Sequence, residues 1–173
     1  MAKPPETPRL FGLQPLVSET TRLLVLGSFP SVSSLAQQQY YAHPQNQFWR
    51  ILQAIFPSGP RVINVVSYEE RSNWLLAQGL GVWDVYASCK REGSLDAAIR
   101  QPQVNDFSGL RLRCPQLQLI AHNGGESFRH PKYTATLGLP VLKLPSTSPA
   151  NASWSFDRKL AAWREAVAAA GLL

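Results

Sequence analysis

The sequence predicts an α/β fold in which a parallel sheet is covered by helices on both faces. Several short runs are apolar throughout, which is typical of strands buried on both sides. Segments with helical periodicity lie between these runs. The chain has 173 residues, enough for one domain with its own core, so we expect 1–173 to form a single domain. The predicted strands occupy residues 22–26, 81–86, 117–121 and 141–144.

The first half of the chain predicts a tail followed by three helices. Residues 1–10 are rich in proline and predict a flexible tail. A short helix is expected at 33–39, and a longer amphipathic helix begins at Asn46. Ser67 opens a capping-box pattern, which predicts the start of a third helix. The apolar face of the longer helix consists of Phe48, Ile51, Leu52 and Ile55.

The second half predicts three short helices and a long final one. The short helices are expected at 94–99, 106–113 and 126–130. Ser94 and Asp106 are the N-cap candidates for the first two. The final helix lies in an alanine-rich segment, and alanine has the highest helix propensity. Its apolar stripe consists of Leu160, Trp163, Val167 and Ala170.

The loops that follow the predicted strands are expected to meet at one edge of the sheet. Right-handed crossovers place the carboxyl ends of parallel strands on the same side, where open α/β proteins form their sites. Phe29, Asn123 and the segment 145–150 follow three of the strands. The sequence therefore predicts that these groups converge.

Composition limits the class of partner and of site. Lysine and arginine number 17 against 11 acids, a net charge of +6, which fits either an anionic partner such as nucleic acid or a basic protein with no such partner. Cys89 and Cys114 form no CxxC pair and are interpreted as reduced thiols of a cytoplasmic protein. The three histidines show no metal-ligand spacing, so we expect no metal. No apolar run reaches membrane-spanning length, and because the first residues contain no apolar segment we expect no signal peptide.

Asn46 has two interpretations. Asparagine is a favoured N-cap, and Asn46 stands where a helix begins. Its carboxamide could also orient a water or a substrate carbonyl, although it cannot act as a general base near neutral pH. The two roles are compatible.

Other residues at this edge also have a structural and a functional interpretation. Phe29 is either a core aromatic or a platform on which a planar base stacks, and Tyr40 and Tyr41 carry the same pair of roles. Asn123 is either a turn residue or a reader of a base edge. Asp84 is interpreted as a cap or hydrogen-bonding residue at the end of its strand.

The segment 145–151 is rich in short hydroxyl side chains between two prolines. It is either an ordinary rigid loop before the last helix or a loop that grips phosphates and enters a DNA groove.

Five ordered motifs give the chain a resemblance to the uracil-DNA glycosylase superfamily, and within it to the hypoxanthine-DNA glycosylase branch. Each motif is weak alone, but their order along residues 24–156 is specific for the superfamily. The motifs are Gly27-Ser28-Phe29-Pro30-Ser31, Tyr40-Tyr41-Ala42-His43-Pro44-Gln45-Asn46-Gln47-Phe48-Trp49, Gly81-Val82-Trp83-Asp84-Val85 with Arg91-Glu92-Gly93-Ser94-Leu95-Asp96, His122-Asn123-Gly124, and Leu144-Pro145-Ser146-Thr147-Ser148-Pro149-Ala150-Asn151.

The resemblance implies a three-layer α/β/α sandwich on a four-stranded parallel sheet. It implies a monofunctional enzyme without cofactor or metal that flips a damaged base out of double-stranded DNA and hydrolyses its N-glycosidic bond. We expect the protein to be a monomer, although the sequence does not determine its oligomeric state. Its setting would be the cytoplasm, with the nucleoid DNA, and no membrane is involved. The expected site residues are Asn46 for catalysis, Ser28, Phe29, Tyr41 and Asn123 for the base, and Ser31, Pro145, Ser146, Thr147, Ser148 and Asn151 for the DNA.

One departure from the superfamily pattern concerns the first motif. Relatives carry a water-activating Asp or Asn beside the proline, where this chain has Phe29. Asn46 matches the essential asparagine of the hypoxanthine branch, so it becomes the best catalytic candidate. Because the pattern supplies no carboxylate base, we expect a modest rate and a preference for good leaving groups such as hypoxanthine or uracil.

Three alternatives remain open from the sequence. The chain could excise uracil or mismatched thymine, because the volume of the pocket cannot be deduced from residue patterns. It could be a lesion-binding module that has lost the reaction, which Phe29 keeps possible. It could also hydrolyse free nucleosides, in which case activity would depend little on salt.

Overall fold

The computed structural model describes residues 2–58 and 66–173. The described chain forms the strands and helices given below, with 3-10 turns at Asp96–Ala98 and Ser127–Arg129. The strands are β1 (Arg9–Phe11), β2 (Leu23–Gly27), β3 (Leu80–Asp84), β4 (Tyr86–Lys90), β5 (Arg100–Val104), β6 (Leu119–Asn123) and β7 (Val141–Leu144). The helices are α1 (Val32–Gln37), α2 (Phe48–Ile55), α3 (Tyr68–Ala77), α4 (Leu110–Arg113), α5 (Lys132–Ala135) and α6 (Phe156–Ala169).

A four-stranded parallel sheet in the order β3-β2-β6-β7 is the centre of the fold. The predicted α/β class with a parallel sheet is therefore confirmed. β2 lies in the middle, and Val25 pairs with Val82 on one side and with Ala121 on the other. All five residues of β2 are buried, as the uniformly apolar run predicts.

The two faces of the sheet bury separate cores. Alternate side chains of a strand point to opposite faces. Leu23 and Val25 belong to a core with α2, α3 and α6, whereas Leu24 and Leu26 belong to a second core on the other face. The aromatic Trp163 of α6 is fully buried in the first core. Packing on both faces therefore fixes the position and direction of the strands whose carboxyl ends form the site.

The predicted strand at 81–86 is wrong as a single element, because the chain divides it at Val85. Residues up to Asp84 form β3 of the parallel sheet, while Tyr86 begins β4. Val85 and Tyr86 donate their backbone N–H groups to the carbonyls of Gly27 and Ser28, at 2.8 and 3.0 Å. This bond pair bends the chain out of the parallel sheet, a tertiary contact that no local pattern records.

Beyond the bend lies a three-stranded antiparallel sheet in the order β1-β4-β5. The sequence did not predict this sheet. The predicted tail at 1–10 is wrong for Arg9 and Leu10, which pair with Lys90 and Cys89. The residues of β5 are mostly exposed and polar and do not alternate with apolar ones, so the sequence pattern does not predict this strand.

The long helices agree with their predicted positions, and the short ones are reduced. Ser67 accepts a hydrogen bond from the N–H of Glu70, so the predicted cap of α3 is confirmed. α1 begins after Ser31, whose hydroxyl accepts from Ser34 N–H. The segments at 94–99 and 126–130 form only 3-10 turns, and only 110–113 of the segment at 106–113 is α-helical. No helix in the described ranges is long and apolar enough to cross a membrane.

Gly27 is required at the carboxyl end of β2 because the neighbouring strand brings a carboxyl group over it. A Cβ at this position would stand 2.5 Å from Asp84 Oδ1. We therefore expect Gly27→Ala to lower the free energy of unfolding by about 1–3 kcal/mol, as for other overpacked positions. Urea denaturation measures this change.

Gly109→Ala is the matched control for that substitution. No atom lies within 4 Å of a Cβ built on Gly109, and its φ of −83° suits any residue. Its unfolding free energy should stay the same or rise slightly. A Gly27→Ala protein as stable as the Gly109→Ala protein would contradict the close approach of Asp84.

Candidate active site

A cavity of about 790 Å³ opens at the carboxyl edge of the parallel sheet. Its walls come from the loop after β2, the 94–97 segment, the end of β6 and the loop that follows β7. The volume is in the range of ligand pockets. The predicted convergence of the strand-end loops is thus present in the structure. The lining residues from the sequence prediction are Ser28, Phe29, Ser31, Asn123, Pro145, Ser146, Ser148 and Asn151, and Tyr41, Asn46 and Thr147 lie outside this lining.

Asn123 joins three elements at the floor of the cavity. Its Oδ1 accepts the backbone N–H of Thr147 at 3.0 Å. Its Nδ2 donates to the hydroxyl of Tyr41 at 3.1 Å and to Thr147 Oγ1 at 3.0 Å. Since a backbone N–H can only donate, the orientation of the carboxamide is fixed. Both amide hydrogens are engaged, so the second lone pair of Oδ1 is the group that remains for a ligand.

The loop 145–151 is held rigidly against the helices. Trp163 Nε1 donates to the carbonyl of Pro145 at 3.1 Å, and Asn151 Nδ2 donates to the carbonyl of Ser146 at 3.1 Å. The side chain of Thr147 is fully buried, so it supports the loop through Asn123 and does not reach solvent. The hydroxyls of Ser146 and Ser148 belong to the cavity wall.

The start of α2 is tied to the same loop. Gln47 N–H donates to the carbonyl of Thr147 at 3.0 Å, and Lys159 Nζ donates to Gln47 Oε1 at 2.9 Å. The N-cap of α2 is Gln47, so the prediction that Asn46 itself caps the helix is off by one residue. Asn46 Oδ1 nevertheless accepts from the first helical N–H, that of Phe48, at 2.9 Å. No hydrogen bond of Asn46 Nδ2 occurs within the part of the protein that the structure describes.

Tyr41 lies behind Asn123 and packs on the start of α2. Its ring stacks on Phe48 with centroids 4.0 Å apart and an angle of 24° between the planes. Its backbone adopts a positive φ of 54°, which is uncommon for a bulky residue. Burial, and then the nearby charge of Asp84, hold the pKa of the Tyr41 phenol above its usual range. Tyr41 is therefore a neutral support for Asn123.

Phe29 borders the cavity but is largely enclosed. The ring is 6% exposed, and the guanidinium carbon of Arg91 lies 5.2 Å from its centroid. Arg91 Nη2 donates to the carbonyl of Pro30 at 2.5 Å, so the cation is fixed above the ring. One face of Phe29 is occupied in this way, and only the opposite side can meet a base.

Asp84 is a carboxyl group whose importance the sequence interpretation missed. It ends β3, is 5% exposed, and its Oδ2 has no hydrogen-bond partner among the described residues. Burial, and then the charge of Asp96, raise the pKa of Asp84 to about 7. The sequence signal that could have indicated this role is Gly27, the residue paired with Asp84. A residue without a side chain leaves room for the side chain of its neighbour.

Asp96 is the second carboxyl group that the sequence interpretation missed. It lines the cavity, and Ser28 Oγ donates to its Oδ1 at 2.6 Å. The carboxyl group of Asp96 is exposed at the cavity, but the protein around it removes part of its hydration and so raises its pKa, whereas the hydrogen bond from Ser28 lowers the pKa. The two residues are separated by 68 positions, so their proximity depends on the tertiary fold. The expectation that the site has no carboxylate therefore needs correction, because Asp96 supplies one.

The charge around the cavity is mixed. Lys143 supplies a cation and Asp96 an anion to the lining. Within residues 2–58 and 66–173, no three His, Cys, Asp or Glu side chains are grouped so that they could hold a metal ion. The chemistry that the described groups can provide is hydrogen bonding from amides and hydroxyls, stacking at Phe29, and proton transfer at a carboxyl group.

Comparisons with known proteins agree on one family. A family model of the Uracil DNA glycosylase superfamily matches residues 14–168. A hypoxanthine DNA glycosylase of Methanosarcina acetivorans is 36% identical over 148 residues, covering 86% of this chain and 92% of the relative. One of Methanosarcina barkeri is 37% identical over 155 residues, covering 90% and 96%. The solution NMR structure of a candidate uracil DNA glycosylase of Methanosarcina acetivorans has a TM-score of 0.80 and 34% identity, covering 95% of this chain and 98% of that one.

The buried Asp84 makes a testable contribution to stability. Because its folded-state pKa of about 7 lies above the ordinary value, the folded protein binds this proton more tightly than the unfolded chain does. The resulting stabilisation is complete below the ordinary pKa and is lost as the pH rises through about 7. At most about 4 kcal/mol is involved, at about 1.4 kcal/mol per pKa unit.

We therefore expect Asp84→Asn to gain stability relative to the wild type between pH 4 and pH 8, as measured by urea denaturation at each pH. Asp106 provides a contrast of opposite sign, because the Ser108 side chain and N–H hold the pKa of this exposed carboxyl below its usual value. Asp106→Asn should therefore lose stability relative to the wild type as the pH rises through the acid range. A difference between Asp84→Asn and wild type that does not change with pH would refute the raised pKa.

Proposed function

The chain belongs to the uracil-DNA glycosylase superfamily, and we propose on that premise that it is a monofunctional DNA glycosylase whose main substrate is hypoxanthine in duplex DNA. The two Methanosarcina relatives named hypoxanthine DNA glycosylase support this substrate. The observation that carries the proposal is the cavity where Phe29, Asn123 and the loop 145–151 meet at the sheet edge. That cavity has room for a flipped base.

We propose that the base enters between the open side of Phe29 and the carboxamide of Asn123. A purine presents a flat face for stacking and an edge of carbonyl and ring N–H groups for hydrogen bonding. The free lone pair of Asn123 Oδ1 suits the N–H beside the carbonyl of hypoxanthine. The hydroxyl of Ser28 lies at the same wall. Extrusion of the base costs a few kcal/mol of stacking, which is smallest for a mispaired base.

Asn46 is the proposed catalytic amide. Its Oδ1 is engaged by the helix, while its Nδ2 retains two donor hydrogens. A donor of this kind holds the oxygen of a water and orients it toward the anomeric carbon of the flipped nucleotide. Asn46 is outside the cavity lining, and the hydrogen bond between Gln47 and Thr147 connects the start of its helix to the loop that would hold the DNA.

The proposed DNA contacts come from the hydroxyl-rich walls. Ser31, Ser146 and Ser148 border the cavity mouth, together with Pro145 and Asn151. Short hydroxyls and backbone N–H groups of this kind position DNA by its phosphates. Thr147 does not contact the DNA in this proposal but holds the loop in place through its hydrogen bonds to Asn123. A net charge of +6 favours the polyanion and predicts binding that weakens with salt.

We propose that the protein works as a monomer in the cytoplasm, where it meets nucleoid DNA. The buried free thiols of Cys89 and Cys114 are consistent with a reducing compartment. Uracil is the second candidate substrate, favoured by the family model and by the similar NMR structure, which is described as a candidate uracil DNA glycosylase. Both bases carry a carbonyl next to a ring N–H, the pattern that Asn123 would recognise.

The test is a set of duplexes that each carry hypoxanthine, uracil, xanthine or mismatched thymine, treated with alkali to reveal abasic sites. We expect strand cleavage first at hypoxanthine, with free base released. Absence of base release from every lesion, together with binding to lesion DNA, would leave the non-catalytic module as the function. Release of base from free nucleosides at similar rates would indicate a nucleoside hydrolase.

Two substitutions at Asn46 separate the capping role from the catalytic role. Serine keeps an oxygen that can cap the helix, whereas alanine removes both the cap and the amide. We expect Asn46→Ser to retain most of the stability yet to lose about 100-fold in the single-turnover excision rate, in the range of positioned polar groups. Asn46→Ala should lose both, with about 1 kcal/mol of stability.

Asn73→Ala is the control, because Asn73 is exposed on α3. Its excision rate should match that of the wild type. If Asn46→Ser excised hypoxanthine at the wild-type rate, the amide would have no catalytic role and Asn46 would be only a cap.

A further inference from the structure

The carboxyl group of Asp96 is the acid that the cavity lining contains. Of the other carboxyl groups nearby, Asp84 is buried outside the lining, and Glu126 accepts the hydroxyl of Tyr86 at 2.8 Å and pairs with Arg129 at 3.6 Å. Asp96 is exposed and belongs to a 3-10 turn in which no residue is buried. A core-packing role therefore does not account for Asp96.

The segment that carries Asp96 is fixed to the loop after β2 at three points. Ser28 Oγ donates to Asp96 Oδ1 at 2.6 Å. Ser94 Oγ accepts the N–H of Val32 at 2.9 Å. The buried Arg91 donates to the carbonyls of Pro30 and Gly93 at 2.5 and 2.8 Å, and so bridges the two segments.

This anchoring has a chemical consequence. The hydrogen bond from Ser28 to Oδ1 restrains the carboxyl group, while Oδ2 remains without a protein partner in the described chain. The acid is held beside Ser28, one residue from the ring on which the base is proposed to stack. A carboxylate at a fixed position in a cavity is suited to general-base catalysis, because the position of the base is set before the substrate arrives.

We propose that Asp96 is the catalytic proton acceptor for the attacking water. The inference deepens the glycosylase function proposed above and rests on it. The bond between C1′ and the base nitrogen breaks, and its electron pair leaves with the base. The water oxygen forms the new bond to C1′ and passes one proton to Asp96. That proton then protonates the departing base, so that deoxyribose with a 1′-hydroxyl and the neutral base are formed and the carboxylate is regenerated.

Asn46 and Asp96 have complementary roles in this reaction. An amide can hold the water but cannot take its proton, whereas a carboxylate can do so. The positive charge that develops on the sugar is also stabilised by a nearby anion. The structure thus assigns to Asp96 the function that neither Phe29 nor Asn46 can perform.

The experiment compares Asp96→Asn with the wild type in single-turnover excision of hypoxanthine from duplex DNA. Asparagine has the same shape and can still accept the hydrogen bond from Ser28, so a merely structural role would be retained. We expect a loss of at least about 100-fold in rate, the range for general-base catalysis, with DNA affinity and urea midpoint close to those of wild type. Glu92→Gln is the matched control, because Glu92 is an exposed acid of the same segment outside this cavity. It should excise at the wild-type rate.

The pH profile of the rate distinguishes proton transfer from base recognition. The wild-type rate should rise with pH as Asp96 ionises, and this acid limb should disappear in Asp96→Asn. Asp84, Glu126, Arg91 and Lys143 also lie around the group, and all of them are retained in that variant. Ser28→Ala removes a hydrogen bond that lowers the pKa of Asp96 and should move the limb to higher pH.

The possible results separate failure of the role of Asp96 from failure of the glycosylase function. A rate for Asp96→Asn within about threefold of wild type would overturn the proposal, and so would a large loss that left the acid limb unchanged. In both cases the wild type still excises hypoxanthine, so the glycosylase function stands. If the wild type released no base from any lesion duplex, the proposed function itself would fail and this inference with it.

Discussion

The candidate site depends on the carboxamide of Asn123. This one side chain, at the carboxyl end of β6, accepts the N–H of Thr147 and donates to the hydroxyls of Thr147 and Tyr41. It therefore fixes the loop after β7 and the aromatic support of α2 to the same strand end. A buried amide with unmet hydrogen bonds costs about 1–3 kcal/mol, so the loop position and the amide orientation stabilise each other. The cavity is the space that remains in front of this junction.

The sequence motifs predict a site without a carboxylate base, whereas the structure brings carboxyl groups to the sheet edge from segments that are distant along the chain. Phe29 stands in the first motif without an acid, and its ring is held under Arg91. The acids at the sheet edge are instead Asp84, buried against Gly27, and Asp96, which lines the cavity from a separate segment. One acid is excluded from solvent and the other is open to it, so the two environments are suited to different roles.

Much of the fold could be predicted because its strands are buried on both faces. A run such as Leu23–Gly27 must be apolar throughout, and its direction follows from right-handed crossovers. The convergence of Phe29, Asn123 and the loop after β7 follows from the same rule. The antiparallel sheet was missed because its bend at Val85 depends on backbone bonds to β2, and β5 has no apolar period. The contact between Ser28 and Asp96 was missed for a related reason, since long-range side-chain pairs leave no local pattern.

We expect a damaged base to occupy the cavity at the carboxyl edge of the sheet. A structure of the wild-type protein with a duplex that contains 2′-fluoro-deoxyinosine tests it most directly, because the fluorine slows cleavage of the glycosidic bond. We expect hypoxanthine to be flipped out of the DNA helix, to lie against the open side of Phe29, and to donate a hydrogen bond to Asn123 Oδ1. A base that remained stacked in the duplex, or that entered a different surface of the protein, would contradict it.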